Sequence, residues 1–188
     1  LYLAVVGFFY TSVSSPTVSS ISGLNCTWQR VPGARSINSG AIRKSTIEVW
    51  YCYGSPSSNS IVRANFANNS TLETTLAVLR YVGAKAAGPV GTAVTNKVFS
   101  SSTAYTANIN TSSTNSIAFG AVHIENRTMT PVSPYSRRLN LIANTGTNST
   151  SGIGVQDKLV AGLTTGLAVN GNLSSSTYWN MIAFEIKD

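Results

Sequence analysis

The chain has 188 residues, 43% hydrophobic and 10% charged, with thirteen Lys and Arg against six Asp and Glu and a net charge of +7. That length suits one domain with a real core, and the regular apolar runs exclude a disordered, low-complexity chain. No stretch reaches the roughly twenty apolar residues of a membrane-spanning helix, so no membrane span is expected. Ser and Thr number 48, so the surface is polar through hydroxyls more than through ions. The cations are scattered apart from one group, Arg30, Arg35, Arg43 and Lys44, and no basic run interleaves with aromatics. Nucleic acid is therefore not expected as a partner. With few carboxylates to change charge, acid is expected to disturb the chain little, which fits an acidic exterior.

Residues 1–10, LYLAVVGFFY, carry no charge and are apolar on both alternating faces. That pattern predicts a strand buried on both sides. Such a strand must fill a slot in its own domain or in a neighbouring copy, which makes Leu1, Leu3, Val5, Val6, Phe8 and Phe9 candidate interface residues. The run lacks the basic flank and small-residue cleavage site of a signal peptide. We divide the chain into this strand, residues 1–12, and a single β-sandwich domain, residues 13–188.

Short strands are expected at 17–21 and 24–31, then a loop at 32–45 and a returning strand at 47–53. An antiparallel register summing to 78 would set Trp28 opposite Trp50 and Cys26 opposite Cys52, close enough for a disulfide; two buried free thiols are the alternative. Strands follow at 61–66 and 70–82. Ser70 and Glu73 also form a helix-capping pattern there, but the leucine and valine alternation and the closing Gly83 favour strand. Further strands are read at 92–99, 103–110, 115–125, 139–145, 153–160 and 163–169, with a turn at Asn170-Gly171 and a last strand over 177–187. Many short strands with frequent turns imply an all-β, Ig-like or jelly-roll-type sandwich.

Catalytic signals are sparse. The six acids, Glu48, Glu73, Glu125, Asp157, Glu185 and Asp188, show no pairing in sequence. His123 lies two residues from Glu125, but no G-x-S-x-G elbow accompanies it, so it reads as structural. No metal-ligand spacing and no phosphate loop are present. A non-enzymatic chain without cofactors is expected. Seven Asn-x-Ser/Thr acceptor sites begin at Asn25, Asn68, Asn69, Asn110, Asn126, Asn148 and Asn172. Most fall at expected loops, where glycans fit; Asn25 falls in an expected strand, on the face opposite Cys26. Polar turn residues without glycans are the plainer reading of the same asparagines.

At GLNCTW (23–28), IEVWY (47–51), NSIAFGAV (115–122) and WNMIAFEI (179–186), the chain resembles secreted prokaryotic β-sandwich domains. Their pattern runs G-L-T-W, V-E-V-W, N-S-L-V-F-G-A-V and W-x-x-I-A-x-E-I. These motifs are strand cores, and they imply a fold without catalytic residues. With its acceptor sites, hydroxyl-rich surface and apolar first strand, the chain also resembles the subunit of archaeal thread filaments, which are glycosylated surface fibres. The likeness implies a pilin-like homopolymer in which residues 1–10 complete the sheet of the next subunit. The secreted domains carry a similar strand inside their own sheet, so donated and internal placements both stand. The leading expectation is an extracellular, glycosylated cell-surface filament acting in adhesion or attachment. A self-complete carbohydrate-binding module, with Tyr51, Tyr53 and Tyr178 as candidate aromatics, and a viral fibre or decoration domain are the alternatives.

Overall fold

The computed structural model describes residues 1–40, 44–56, 61–68, 71–143 and 150–188. Among them it forms fourteen strands, all paired antiparallel, and no helix. A four-stranded sheet has the order β3 (Gln29–Asn38), β4 (Lys44–Cys52), β1 (Tyr2–Tyr10), β6 (Thr71–Arg80). A five-stranded sheet runs β11 (Ser136–Ile142), β12 (Ser151–Val160), β9 (Ser116–Glu125), β14 (Trp179–Ile186), β7 (Val94–Lys97). Two smaller sheets are β10 (Met129–Pro131), β13 (Leu167–Thr177), β8 (Ser102–Ile109), and β2 (Val18–Ser22) with β5 (Arg63–Phe66).

Three apolar clusters stack these sheets into four layers. Leu3, Val5, Ile47 and Val49 meet Phe119, Ile153, Ile182 and Phe184 between the two large sheets. On the outer face of the five-stranded sheet, Val122, Ile124 and Met181 pack under Tyr105, Ile109 and Val169 of the three-stranded sheet. On the other side, Ala4, Val6, Phe8 and Tyr10 pack under Val18 and Ile21 of β2. A two-layer sandwich leaves one face of each sheet wet; here each large sheet has a small one laid over that face. This explains why β1 and β14 are apolar on both alternating faces. Each fully buried side chain such as Phe8 or Leu3 contributes about 1.5–3 kcal/mol over its exposed state.

The all-β sandwich expected from the sequence is the fold observed, and 71–80 is strand, not helix. Several local expectations need correction. Residues 24–28 are not strand: Gly23, Leu24 and Asn25 all have positive φ, and the segment turns before β3 begins at Gln29. The β3–β4 register sums to 80 at Gln29↔Tyr51, not 78, so Trp28 does not face Trp50. Cys26 nevertheless bonds Cys52, reaching it from the turn with Cα atoms 6.1 Å apart. The expected loop at 32–45 is mostly strand, because β3 runs on to Asn38 through a register shift between Arg30 and Arg35. Asn170-Gly171 is no turn but the middle of β13. Gly171 is there because a Cβ would run into the Tyr105 hydroxyl and the Thr130 carbonyl.

Gly171→Ala should therefore destabilise the fold by about 1–3 kcal/mol through overpacking, read as a lower thermal midpoint. An unchanged midpoint would show that Tyr105 has room to move.

Candidate assembly site

The candidate interface residues converge on one feature, the strand β1 and its slot. β1 pairs with β4 from Tyr2↔Cys52 to Tyr10↔Lys44 and with β6 from Tyr2↔Arg80 to Tyr10↔Thr71. Leu3, Val5, Val6 and Phe8 are 0% exposed, while Leu1 and Phe9 are also buried. Odd-numbered residues face the inner cluster and even-numbered ones face the β2–β5 layer. Phe8 sets its ring edge-on to Phe66, with centroids 5.1 Å apart, and Phe9 does so to His123 at 4.8 Å. Gly7 lets the His123 ring pass, since a Cβ there would overlap it. In the single chain, β1 is thus covered on both faces and both edges by its own domain.

Residues 11–17 join β1 to β2 and turn back over the end of the sheet. Val13 is 98% exposed, yet the connector's backbone is held. The Arg35 guanidinium donates from Nη2 to the Pro16 carbonyl at 2.9 Å and to the Ser15 and Thr17 hydroxyls at 3.2 Å. Lys44 Nζ donates to Ser12 O at 3.1 Å, and the Ser15 and Thr46 hydroxyls lie 2.6 Å apart. Arg35 is oriented by Glu48, 0% exposed, whose carboxylate takes Arg35 Nε at 3.1 Å and Trp50 Nε1 at 3.2 Å. Arg30 approaches the same carboxylate at 3.6 Å. Sequence reading found this basic group but not its partner. Arg30, Arg35 and Lys44 are turned onto the chain itself, and Arg43 lies outside the described residues.

The few acids are mostly interior. Glu48, Glu73, Asp157 and Glu185 are all buried. Glu185 accepts the Ser112 and Ser113 amides and the Ser112 hydroxyl at 2.7–3.0 Å. Burial pushes its pKa up, but those bonds outweigh burial and the net shift is downward. Asp157 takes Arg138 Nη2 at 2.7 Å and the Tyr81 hydroxyl at 2.9 Å. Burial, with the neighbouring Asp157 charge, holds the Tyr81 phenol well above its usual range.

His123, 1% exposed, pairs through Nε2 with the Ser151 hydroxyl at 2.9 Å. Ser151 in turn donates its amide to Glu73. A His, a Ser and a Glu thus come together, although the Glu is not Glu125 as sequence proximity implied. Their geometry is structural: Ser151 is 0% exposed, and Glu73 holds the Ser151 backbone, not the imidazole. Among the described residues no three His, Cys, Asp or Glu side chains gather as a metal site would need.

Of the acceptor asparagines, Asn25, Asn68, Asn110, Asn126 and Asn172 are all exposed. Asn25 sits in the turn and not in a strand, and Asn172 lies within β13 and not in a loop. Asn69 and Asn148 lie outside the described residues. Asn38 and Asn180, each 0% exposed, start no acceptor motif. Tyr51 packs half-buried on the inner cluster, and Tyr53 is exposed beside Tyr2 and Arg80 around a cavity of about 380 Å³. Tyr178 lies at the other end of the sandwich, so the three tyrosines do not form one patch. Compared with family models, with characterised proteins and with solved structures, the chain matches none.

Burial lowers the His123 pKa from 6.5 to about 3, the larger effect against a weaker opposing influence of the nearby Asn180 side chain. The folded protein keeps the ring neutral where the unfolded chain protonates it, so stability is complete above pH 6.5 and falls as pH drops towards 3. Scarce carboxylates therefore do not make the fold indifferent to acid. Urea unfolding at pH 4.5 should give a free energy about 3 kcal/mol below that at pH 7, at 1.36 kcal/mol per unit over two units. His123→Gln should remove most of that difference. A variant with the parent's full pH dependence would assign the effect elsewhere.

Proposed function

We propose that the chain is a structural subunit of an extracellular, glycosylated filament, acting in adhesion or surface attachment. In this reading β1 of one copy fills the slot between β4 and β6 of the next. The observation that carries it is the packing of β1: the strand is apolar on both faces, paired along both edges by β4 and β6, and closed over by a layer on either side. The same contacts form whichever copy supplies the strand, which is the condition for exchange. Seven connector residues reach roughly 23–25 Å when extended, which sets the largest gap between copies that the exchange allows. A head-to-tail exchange that does not close generates a fibre. Its gross burial is on the order of 10–20 kcal/mol before ordering costs.

Other features support the same reading. The Cys26–Cys52 bond fits an oxidising compartment. Five exposed acceptor asparagines leave room for N-linked glycans. The resemblance to archaeal thread subunits points the same way, and nothing in this reading calls for a catalytic centre or cofactor. A second reading has its own observation. The Arg35 and Lys44 bonds hold residues 12–17 back against the domain, as a self-complete carbohydrate-binding or adhesin module would require.

Natively purified material should show filaments by electron microscopy and a ladder of subunit multiples on SDS gels. Boiling in acid or denaturant should collapse the ladder, and deletion of residues 1–12 should abolish polymerisation. A synthetic peptide of residues 1–12 should then restore a folded monomer without fibres. A monodisperse monomer whose stability requires Leu1–Tyr10 in the same chain would mean that the strand is internal and the filament reading wrong.

A further inference from the structure

Exchange of β1 leaves one part of the molecule unaccounted for, the outer edge of β6. Leu1 and Tyr81 exchange both backbone hydrogen bonds, at 3.0 and 2.8 Å, so this is a narrow pair of the ladder. Alternation along the antiparallel register then directs the amides and carbonyls of Glu73, Thr75, Ala77 and Leu79 towards β1. Those of Thr74, Leu76, Val78 and Arg80 point away from it. Among the described residues no strand lies beyond them.

The remaining large-sheet edges are guarded. β3 carries a register shift and Pro32, and β7 shields it: Ala93 N donates to Pro32 O at 2.7 Å, and Asn38 Nδ2 to Val98 O at 2.6 Å. β7 itself is four residues long and ends in Lys97. β11 has Arg137, Arg138 and a register shift between Arg137 and Leu139, and Arg137 reaches Met129 O of β10. β6 has ten residues and no proline, and its one shift lies at its start, opposite Phe9 and Tyr10. Its only acid, Glu73, is buried and bonded inward to the Ser151 amide. Along the outward positions Thr74, Leu76 and Val78 there is no charge until Arg80, and Val78 is 40% exposed. Charge, proline, bulges and brevity are the means by which an edge avoids pairing, and β6 from Thr74 to Val78 has none of them.

We infer that the β6 edge is a self-pairing surface whose partner is β6 of a second copy, antiparallel about a two-fold axis near Ala77. In that register Leu76 meets the second copy's Val78, and Arg80 meets its Thr74. Outward-bonding residues face outward-bonding residues, and no like charges stand opposite each other. The contact is isologous, so it joins copies side by side into pairs. It needs no exchange of β1, and a filament built by β1 would gain lateral pairing from it. One edge is smaller than a standard interface, so the association is weak.

Val78→Pro separates this surface from the fold. It removes an outward amide and leaves the β1–β6 ladder its donors, as prolines in edge strands do. Val78→Thr keeps the amide and serves as the control. Sedimentation of the full chain's monomeric fraction, in which β1 fills its own slot, over micromolar to millimolar concentrations should show a monomer–dimer equilibrium for the parent and for Val78→Thr. Val78→Pro should weaken it at least tenfold with an unchanged circular dichroism spectrum. Amide exchange at Leu76 and Val78 should slow as concentration rises. A parent that stays monomeric throughout, or a folded Val78→Pro chain that dimerises like the parent, overturns the pairing; the latter result would assign the dimer to another surface, β1 exchange included.

Discussion

Covering β1 on both faces requires layers on either side of its sheet, and that requirement organises most of the molecule. Its odd-numbered side chains are closed over by β9, β12 and β14, and its even-numbered ones by the small β2–β5 sheet. β4 and β6 close its edges. Removing β1 would open a groove through the middle of the sheet and expose two apolar surfaces at once. A strand with that much to bury is costly to leave in water and valuable to any slot that accepts it, its own or a neighbour's.

The ions follow the same logic. A chain with six acids places four of them in the interior, each holding an element in position. Glu48 orients the arginine that holds the connector, Glu73 and Ser151 tie β6 to β12, Asp157 joins Tyr81 to Arg138, and Glu185 anchors the loop at Ser112. The surface is left to hydroxyls, amides and basic side chains such as Arg63, Arg80 and Lys97, while these four carboxylates work as interior hydrogen-bond acceptors. Buried His123 adds a group that acid can turn against the fold.

Strand identity was largely legible in the sequence, because alternation and double-sided apolarity in 1–10 and 179–186 report burial directly. The Cys26–Cys52 bond was foreseen from a register that does not occur; the turn at Gly23–Asn25, invisible to strand alternation, makes it by another route. Gly171 misled because glycine serves turns and close approaches alike, and only the Tyr105 ring crossing from β8 tells them apart. The connector clamp stayed hidden because Arg35, Glu48 and Pro16 meet through tertiary folding. So did the His123–Ser151 pair, twenty-eight residues apart along the chain.

The question of which copy owns β1 can be put to the strand itself. Val5 faces Val49 across the β1–β4 ladder, at a position where backbone bonds point elsewhere and a disulfide fits. Chains carrying Val5→Cys and Val49→Cys, assembled under native conditions and then oxidised, can be run on a non-reducing denaturing gel. Strand exchange predicts a covalent ladder of subunit multiples that reduction collapses to one band. A single monomer band whose bridge maps within one chain would contradict it.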